Sequence, residues 1–281
     1  MHRRWFWMFL LLGFATGIAS AQSTGIRLSW TNNLLTVRDP SLPGGTLDVF
    51  YLEAFCIPGG HERSWGETRI PHQTQLLTST PDGSELRFRS TIGSEIEVLH
   101  EVRTGHGDTL IEMDFLLVHR GTNSWNVQWF QPACMRVDRF TGASQSNYTA
   151  QSFIFTAAGR TPLDQIRRTT NALYRGGQVY LPPWVQEQDA NPRPIAIDRI
   201  ANGLIGCVSS DGKSILALAS DRTFELFEGV YVCLHSDPWI GGLAPGATRR
   251  IRQKLYRMPN DTDRLLRQYG RDFPRTDDGG F

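Results

Sequence analysis

The tripeptide His235-Ser236-Asp237 puts an imidazole and a carboxylate on one face of an extended chain, since side chains two apart in a strand point the same way. That is the spacing of a general acid or base and the group that orients it. His72 is the imidazole assigned to oppose it as second proton donor or acceptor. Glu53 lies within the apolar run 49–55, where an ionised carboxylate is costly without a partner such as an arginine, structural or catalytic. Arg136 and Asp138 flank Val137 and share a face, so they either hold hydroxyl groups jointly or bind each other. The glycine loop after Glu53 contributes His61, Arg63 and Trp65. Further on come Glu228 and Trp239, whose ring either stacks on a sugar or fills a core. His235, His72 and Asp237 are thus the candidate catalytic residues, and the others form the candidate substrate-binding set.

Other chemistries find less in the chain. There is no Gly-x-Ser-x-Gly elbow, no His-Glu-x-x-His and no phosphate-cradling loop. No two histidines stand at a tight ligand spacing, and Cys56, Cys134, Cys207 and Cys233 do not follow a zinc pattern. No metal and no cofactor are therefore expected. His106 reads as a turn residue and His100, in line with Ile96 and Val98, as a core group. The four cysteines allow three disulfide pairings, or serve as free core thiols, and sequence does not choose.

The elements that must position these groups are strands. Leu86, Phe88 and Ile92 share one face, Ile96, Val98 and Val102 another, and Ile111, Met113, Phe115 and Leu117 a third. Turn signals at Pro81-Asp82-Gly83, Gly105-His106-Gly107, Arg120-Gly121 and Asp211-Gly212 separate them. Further strands are expected at residues 25–30, 34–38, 46–55, 151–155, 204–208, 214–219, 224–234 and 249–257. About a dozen strands suffice for two broad antiparallel sheets. Residues 161–194, rich in glycine and proline, read as a long surface excursion with one helical turn near 162–168, in which Trp184, Glu187 and Asp189 either line a binding rim or sit idle. A helix is expected near 260–270, capped by Asn260 or Asp261, with Leu265, Leu266 and Tyr269 at helical spacing. One domain over residues 22–274 and a flexible tail at 275–281 complete the organisation.

The balance of charge, +1 overall with both signs mixed, gives no basis for binding nucleic acid or an anionic membrane. At the N-terminus Arg3 and Arg4 precede an apolar run that ends in Ala19-Ser20-Ala21, the pattern of a signal peptide (1–21) cleaved after Ala21. The run is short for a bilayer and broken by Gly13, Thr16 and Gly17, so no stable membrane anchor is expected. The protein is expected to be secreted or periplasmic, with the oligomeric state open.

The run Val232-Cys233-Leu234-His235-Ser236-Asp237-Pro238, the turn Leu243-Ala244-Pro245-Gly246 and the run Gln253-Lys254-Leu255-Tyr256 resemble the closing segment of the galactose mutarotase-like proteins. Stretches Phe50 to Cys56 and Arg136 to Gly142 resemble secreted proteins of unknown function. The resemblance implies an all-β antiparallel β-supersandwich with one short C-terminal helix and an activity on sugars, epimerase-like or lyase and hydrolase-like. His235 stands closest to the position where the family's epimerases carry a glutamate base, and that departure sets plain 1-epimerase activity apart. The alternative is a non-catalytic sugar-binding or cell-surface scaffold module whose polar clusters are internal ion pairs.

Overall fold

Alternation becomes burial in the strands that carry it: every second residue of Glu85–Ile92 and Thr109–His119 is buried, as is every second residue of Ile96–Thr104 up to Val102. A computed structural model describes residues 25–169 and 171–274; the expected signal peptide and tail lie outside the described residues. These three strands belong to a nine-stranded sheet, in the order Gly159–Pro162, Ser152–Thr156, Leu204–Val208, Ser214–Ser220, Thr248–Pro259, Thr109–His119, Ile96–Thr104, Glu85–Ile92, His72–Ser79. A seven-stranded sheet packs on it, in the order Arg27–Thr31, Leu34–Arg38, Thr46–Phe50, Cys134–Arg136, Cys233–Pro238, Thr223–Glu228, Gln178–Tyr180. All pairings within the sheets are antiparallel. A small sheet of Trp129–Gln131, Ala54–Cys56 and Arg69–Ile70 adds a third layer. The fold is thus the expected antiparallel β-sandwich with a C-terminal helix, and the strand Cys233–Pro238, the turn at Pro245-Gly246 and the strand Thr248–Pro259 follow in the expected order. Among the described residues no helix is long and apolar enough to cross a membrane.

Aromatic rings fill the space between the two large sheets. Trp30 meets Phe88 edge-on at 5.4 Å, Tyr51 lies 5.2 Å from Phe88, and Phe115 meets Phe130 at 5.2 Å. Such pairs contribute about 0.5–1.5 kcal/mol each beyond the area they bury. The outer face of the nine-stranded sheet carries the helix Thr262–Asp272, whose Leu265 and Tyr269, with Phe273 just beyond, pack on Phe153, Leu204, Ala217 and Tyr256. Asp261 caps it by accepting a hydrogen bond from Arg264 N at 2.9 Å. Asp272 in its last turn accepts from Lys254 Nζ at 2.9 Å and from Tyr256 Oη at 3.0 Å, fixing the helix to the sheet.

Three sequence expectations are corrected. Residues 161–194 are a surface excursion only in part: residues 167–169 and 171–176 are exposed or half-buried, but Tyr180, Leu181, Val185 and Ala190 are buried, and Gln178–Tyr180 is a strand of the seven-stranded sheet. The helical turn expected near 162–168 is present as Leu163–Gln165. The stretch 224–234 is a hairpin, Thr223–Glu228 and Cys233–Pro238, joined by a turn with Val232 at φ 55°, a conformation β-branched residues rarely adopt. The stretch 46–55 breaks between Thr46–Phe50 and Ala54–Cys56, and Glu53 sits in the break.

His100 is the core group that its register suggests. Its Nδ1 lies 2.6 Å from Tyr51 Oη and its Nε2 3.0 Å from Ser90 Oγ, with Phe88 and Phe115 stacked on its two sides at 5.0 and 5.6 Å. Burial, reinforced by His72, pushes its pKa down to about 3. The native state therefore holds a neutral ring, while the unfolded chain takes up a proton near 6.5. The stability this confers is complete above pH 6.5 and is lost as pH falls toward 3. Between pH 7 and pH 4.5 the loss from this group is about 2–3 kcal/mol. Urea unfolding at the two pH values checks this: in His100→Gln the drop in stability over the same pH step is smaller by about that amount.

Candidate functional site

The outward face of the seven-stranded sheet carries one row of side chains across five strands. Cys134 stands opposite Phe50 on one side; on the other its strand pairs with Cys233–Pro238, Met135 facing Leu234, which brings it beside His235. Phe227 faces His235, and Val179 faces Phe227. Along the strand Cys233–Pro238 the alternation puts Cys233, His235 and Asp237 on this face. Glu225 joins them opposite Asp237. Two segments cover the row: residues 54–70 with Trp129–Gln131, and residues 181–195. Ala54, Cys56, Trp129, Leu181, Val185, Ala190 and Ile195 pack there against Phe224 and Phe227.

The covered row is charged. His235 Nε2 lies 3.5 Å from Cys233 Sγ, and His235 Nδ1 lies 3.7 Å from Asp237 Oδ1. Asp237 Oδ2 accepts a hydrogen bond from Gln131 Nε2 at 3.0 Å, and Glu225 Oε2 accepts one from the backbone N of Asn191 at 3.1 Å. Cys134, Cys233, Glu225, His235 and Asp237 are all buried. Burial raises the carboxyls of Glu225, Asp237 and Glu53, with His235 opposing it at each. Burial also works against the charge on His235, but the neighbouring Asp237 and Cys233 outweigh it and hold the imidazole well above its ordinary range. The Cys233 thiol is held well below its usual range by a hydrogen bond from Cys134 and by His235, whereas burial pushes Cys134 up.

Two hollows meet at Glu53. A pocket of about 140 Å³ is lined by Glu53, Cys134, Cys233 and His235, with Tyr174 and Arg193 also on its wall. A cleft of about 770 Å³ is lined by Asn32, Asn33, Glu53, Arg69, His72 and Gln73 among others. Glu53 and Trp65 belong to both. Trp65 opens the short helix Trp65–Thr68, held by a capping box between Ser64 and Glu67. Glu53 is placed by its backbone N, which donates to Gln131 O at 2.9 Å. His72 begins the edge strand of the nine-stranded sheet and lies edge-on to Phe55 at 5.2 Å; burial lowers its pKa, so the ring is neutral at pH 7.

The structure thus divides the expected site. His235 and Asp237 come together in the covered row, His72 stands in the cleft, and Glu53 and Trp65 are the residues common to the two. The other expected residues are engaged elsewhere. Glu228 follows Phe227 and so points to the opposite face, into the core between the large sheets, where Tyr180 Oη donates to it at 2.5 Å and Arg168 lies 3.8 Å away. Trp239 has Arg222 over its ring at 4.0 Å and meets Trp184 edge to face at 5.7 Å, so the ring is engaged within the fold. His61 Nδ1 is 3.0 Å from Asn191 O, tying the glycine loop to the covering segment, and Arg63 is exposed. Arg136 and Asp138 form no ion pair: the Arg136 guanidinium packs on Phe50 at 5.6 Å, and Asp138 opens the short helix Asp138–Thr141. Asp189 accepts from Gly59 N at 2.8 Å and Glu187 pairs with Arg199 at 3.0 Å, so neither forms a rim. All four cysteines are free and buried.

Sequence reasoning missed Cys134, Cys233, Gln131 and Glu225. One signal was available, since Cys233 stands two residues before His235 and must share its face. Cys134 comes from a strand almost a hundred residues earlier, and only the sheet order brings it there.

The ion pair between His235 and Asp237 holds the covered row together. Asp237→Ala leaves a buried imidazole without its counter-charge and Gln131 Nε2 without its acceptor, and is expected to destabilise the fold by about 3–5 kcal/mol. Asp237→Asn, which keeps an oxygen for Gln131, is expected to cost less. Urea midpoints of the two variants against the parent chain measure the difference.

No protein-family model and no curated protein matches the chain. Solved structures similar to it include a structural-genomics target protein from Synechocystis sp. PCC 6803, 12% identical over 84% of this chain and 92% of that chain, with a TM-score of 0.47. They also include a galactose mutarotase related enzyme from Lactobacillus acidophilus, 9% identical over 84% of this chain and 98% of that chain, with a TM-score of 0.39. What the chain does is therefore argued from its own side chains.

Proposed function

We propose that the chain binds a carbohydrate in the cleft between Asn33 and His72, and that Glu53 and His72 exchange protons with it. One observation carries this reading. A carboxyl whose pKa burial raises and an imidazole whose pKa burial lowers line the same open cleft of about 770 Å³. Two groups whose environments move them toward neutrality are what acid and base on either side of a substrate require. The volume lies within the range of small-ligand sites. Asn32, Asn33, Gln73 and Thr74 offer amides and a hydroxyl to sugar hydroxyls, Arg69 a cation, and Trp65 an apolar ring edge.

In this reading His235 and Asp237 do not face the sugar. They set the charge behind Glu53, since the imidazole is the foremost group opposing burial at that carboxyl. Export directed by residues 1–21 puts the cleft in contact with extracellular or periplasmic glycans. A second reading, a non-catalytic sugar-binding or surface scaffold module, is favoured by one set of facts: Glu228, His61 and Trp239 all serve internal contacts.

The test is a panel of mono- and oligosaccharides titrated into the chain from Gln22 onward, followed by calorimetry and by NMR of anomer exchange. Glu53→Gln and His72→Ala are each expected to lower exchange sharply; Glu53→Gln keeps hydrogen bonding and so spares binding, whereas His72→Ala weakens it about tenfold by removing a hydrogen bond to the ligand. Binding without exchange in the parent chain supports the scaffold reading. A folded parent chain that binds no member of the panel at millimolar concentration overturns both.

A further inference from the structure

We propose that Cys134, Cys233 and His235 form a binding site for a thiophilic divalent cation of the zinc class, whose open fourth position faces the pocket beside Glu53. The three ligand atoms, two Sγ and one imidazole nitrogen, lie within 4.8 Å of one another. His235 Nε2 and Cys233 Sγ are 3.5 Å apart. A tetrahedral zinc ion with bonds of about 2.3 Å to sulfur and about 2.0–2.1 Å to nitrogen sets those two ligands about 3.5 Å apart. The separation therefore admits a metal without moving either side chain.

The surroundings are those of a ligand set. Asp237 stands behind the other ring nitrogen, with Oδ1 3.7 Å from Nδ1, and neither of these two buried atoms makes a hydrogen bond. A carboxylate behind a ligating imidazole fixes its tautomer and raises its basicity. Gly229 leaves the room: a Cβ there would come within 2.3 Å of Cys233 Sγ and 3.4 Å of His235 Nε2. Charge points the same way. Two thiolates and a neutral imidazole balance a dication, so the loaded cluster adds no net charge to the buried row. A nucleophilic thiol would need one sulfur beside the imidazole, whereas a ligand set needs the second, and Cys134 supplies it from the adjacent strand. The pocket of about 140 Å³ that these residues line is the entry path. Three protein ligands with an open position are the arrangement of a catalytic rather than a purely structural zinc site.

This inference stands apart from the carbohydrate reading, because the ligands lie on the far side of Glu53 from the cleft. The experiment is Co2+ titration of the reduced chain from Gln22 onward, held under anaerobic conditions. One equivalent is expected to bind, with intense thiolate-to-cobalt charge-transfer absorption and the visible bands of a tetrahedral site, and Zn2+ is expected to displace it. Cys233→Ser and His235→Gln should abolish the absorption, Cys207→Ser should retain it, and Asp237→Asn should weaken binding about 10–100-fold. The parent chain alone decides the matter if a variant does not fold. Absence of thiolate charge transfer in the folded, reduced parent overturns the proposal, as does a Cys134–Cys233 disulfide that forms and persists when the chain is exported in the presence of zinc. Saccharide titration of the metal-free chain separates the two hypotheses: sugar binding without cobalt binding removes only this one, and cobalt binding without sugar binding removes only the other.

Discussion

Burying charge on the outward face of the seven-stranded sheet is the constraint around which the covering layer is arranged. Glu225, His235 and Asp237 have no exposure to speak of, so their polar atoms must be met from above. Asp237 takes the side chain of Gln131 from the small sheet, and Glu225 takes the backbone N of Asn191 from the 181–195 segment. Each carboxylate thereby anchors one of the two covering segments. The segments are then stitched to each other, Asp189 to Gly59 N and His61 to Asn191 O. Hydrophobic contact alone would hold this layer without fixing its register, because apolar packing is not directional. The polar cluster gives it one position, and that position is what leaves a hollow in front of His235 rather than a closed core.

The same arithmetic of faces explains what could be read from the sequence. Where one face of a strand meets the core and the other meets water, alternation is visible, as in Glu85–Ile92 and Thr109–His119. Where the covering layer lies on the seven-stranded sheet both faces are covered, Thr223–Glu228 and Cys233–Pro238 are buried throughout, and the alternation disappears. That is why residues 224–234 read as one strand and residues 161–194 as a loop. It is also why Glu228 was grouped with His235. Phe227 faces His235 across the hairpin, so Glu228, one residue on, points to the opposite side, and only the register reveals it. The His235–Asp237 pair was legible because both residues lie on one strand. Cys134, Gln131 and Asn191 were not, because they reach the cluster through the order of strands and loops.

Glu53 connects the two hollows for a backbone reason. The chain leaves the seven-stranded sheet at Phe50 and enters the small sheet at Ala54, and Glu53 is the last residue of that passage. Its N–H is bound by Gln131 O, while the Gln131 side chain is bound to Asp237. One glutamine thus sets both the position of the carboxyl at the cleft and the orientation of the acid behind His235.

Charge follows the same route as geometry. At Glu53 burial favours the protonated form, the imidazole of His235 opposes it first and a hydrogen bond from Cys134 second, whereas Cys233 and Asp237 add to it. Whatever occupies His235 Nε2, a proton or a metal ion, therefore acts on the acidity of a carboxyl that faces the cleft. A neutral, unliganded His235 would leave three buried carboxyls with no compensating charge among them, and each would be driven toward its protonated form. The positive charge on the imidazole thus reduces the cost of ionising Glu53. In the proposed exchange Glu53 takes up and gives up a proton in turn, and the charge at His235 sets the balance between the two.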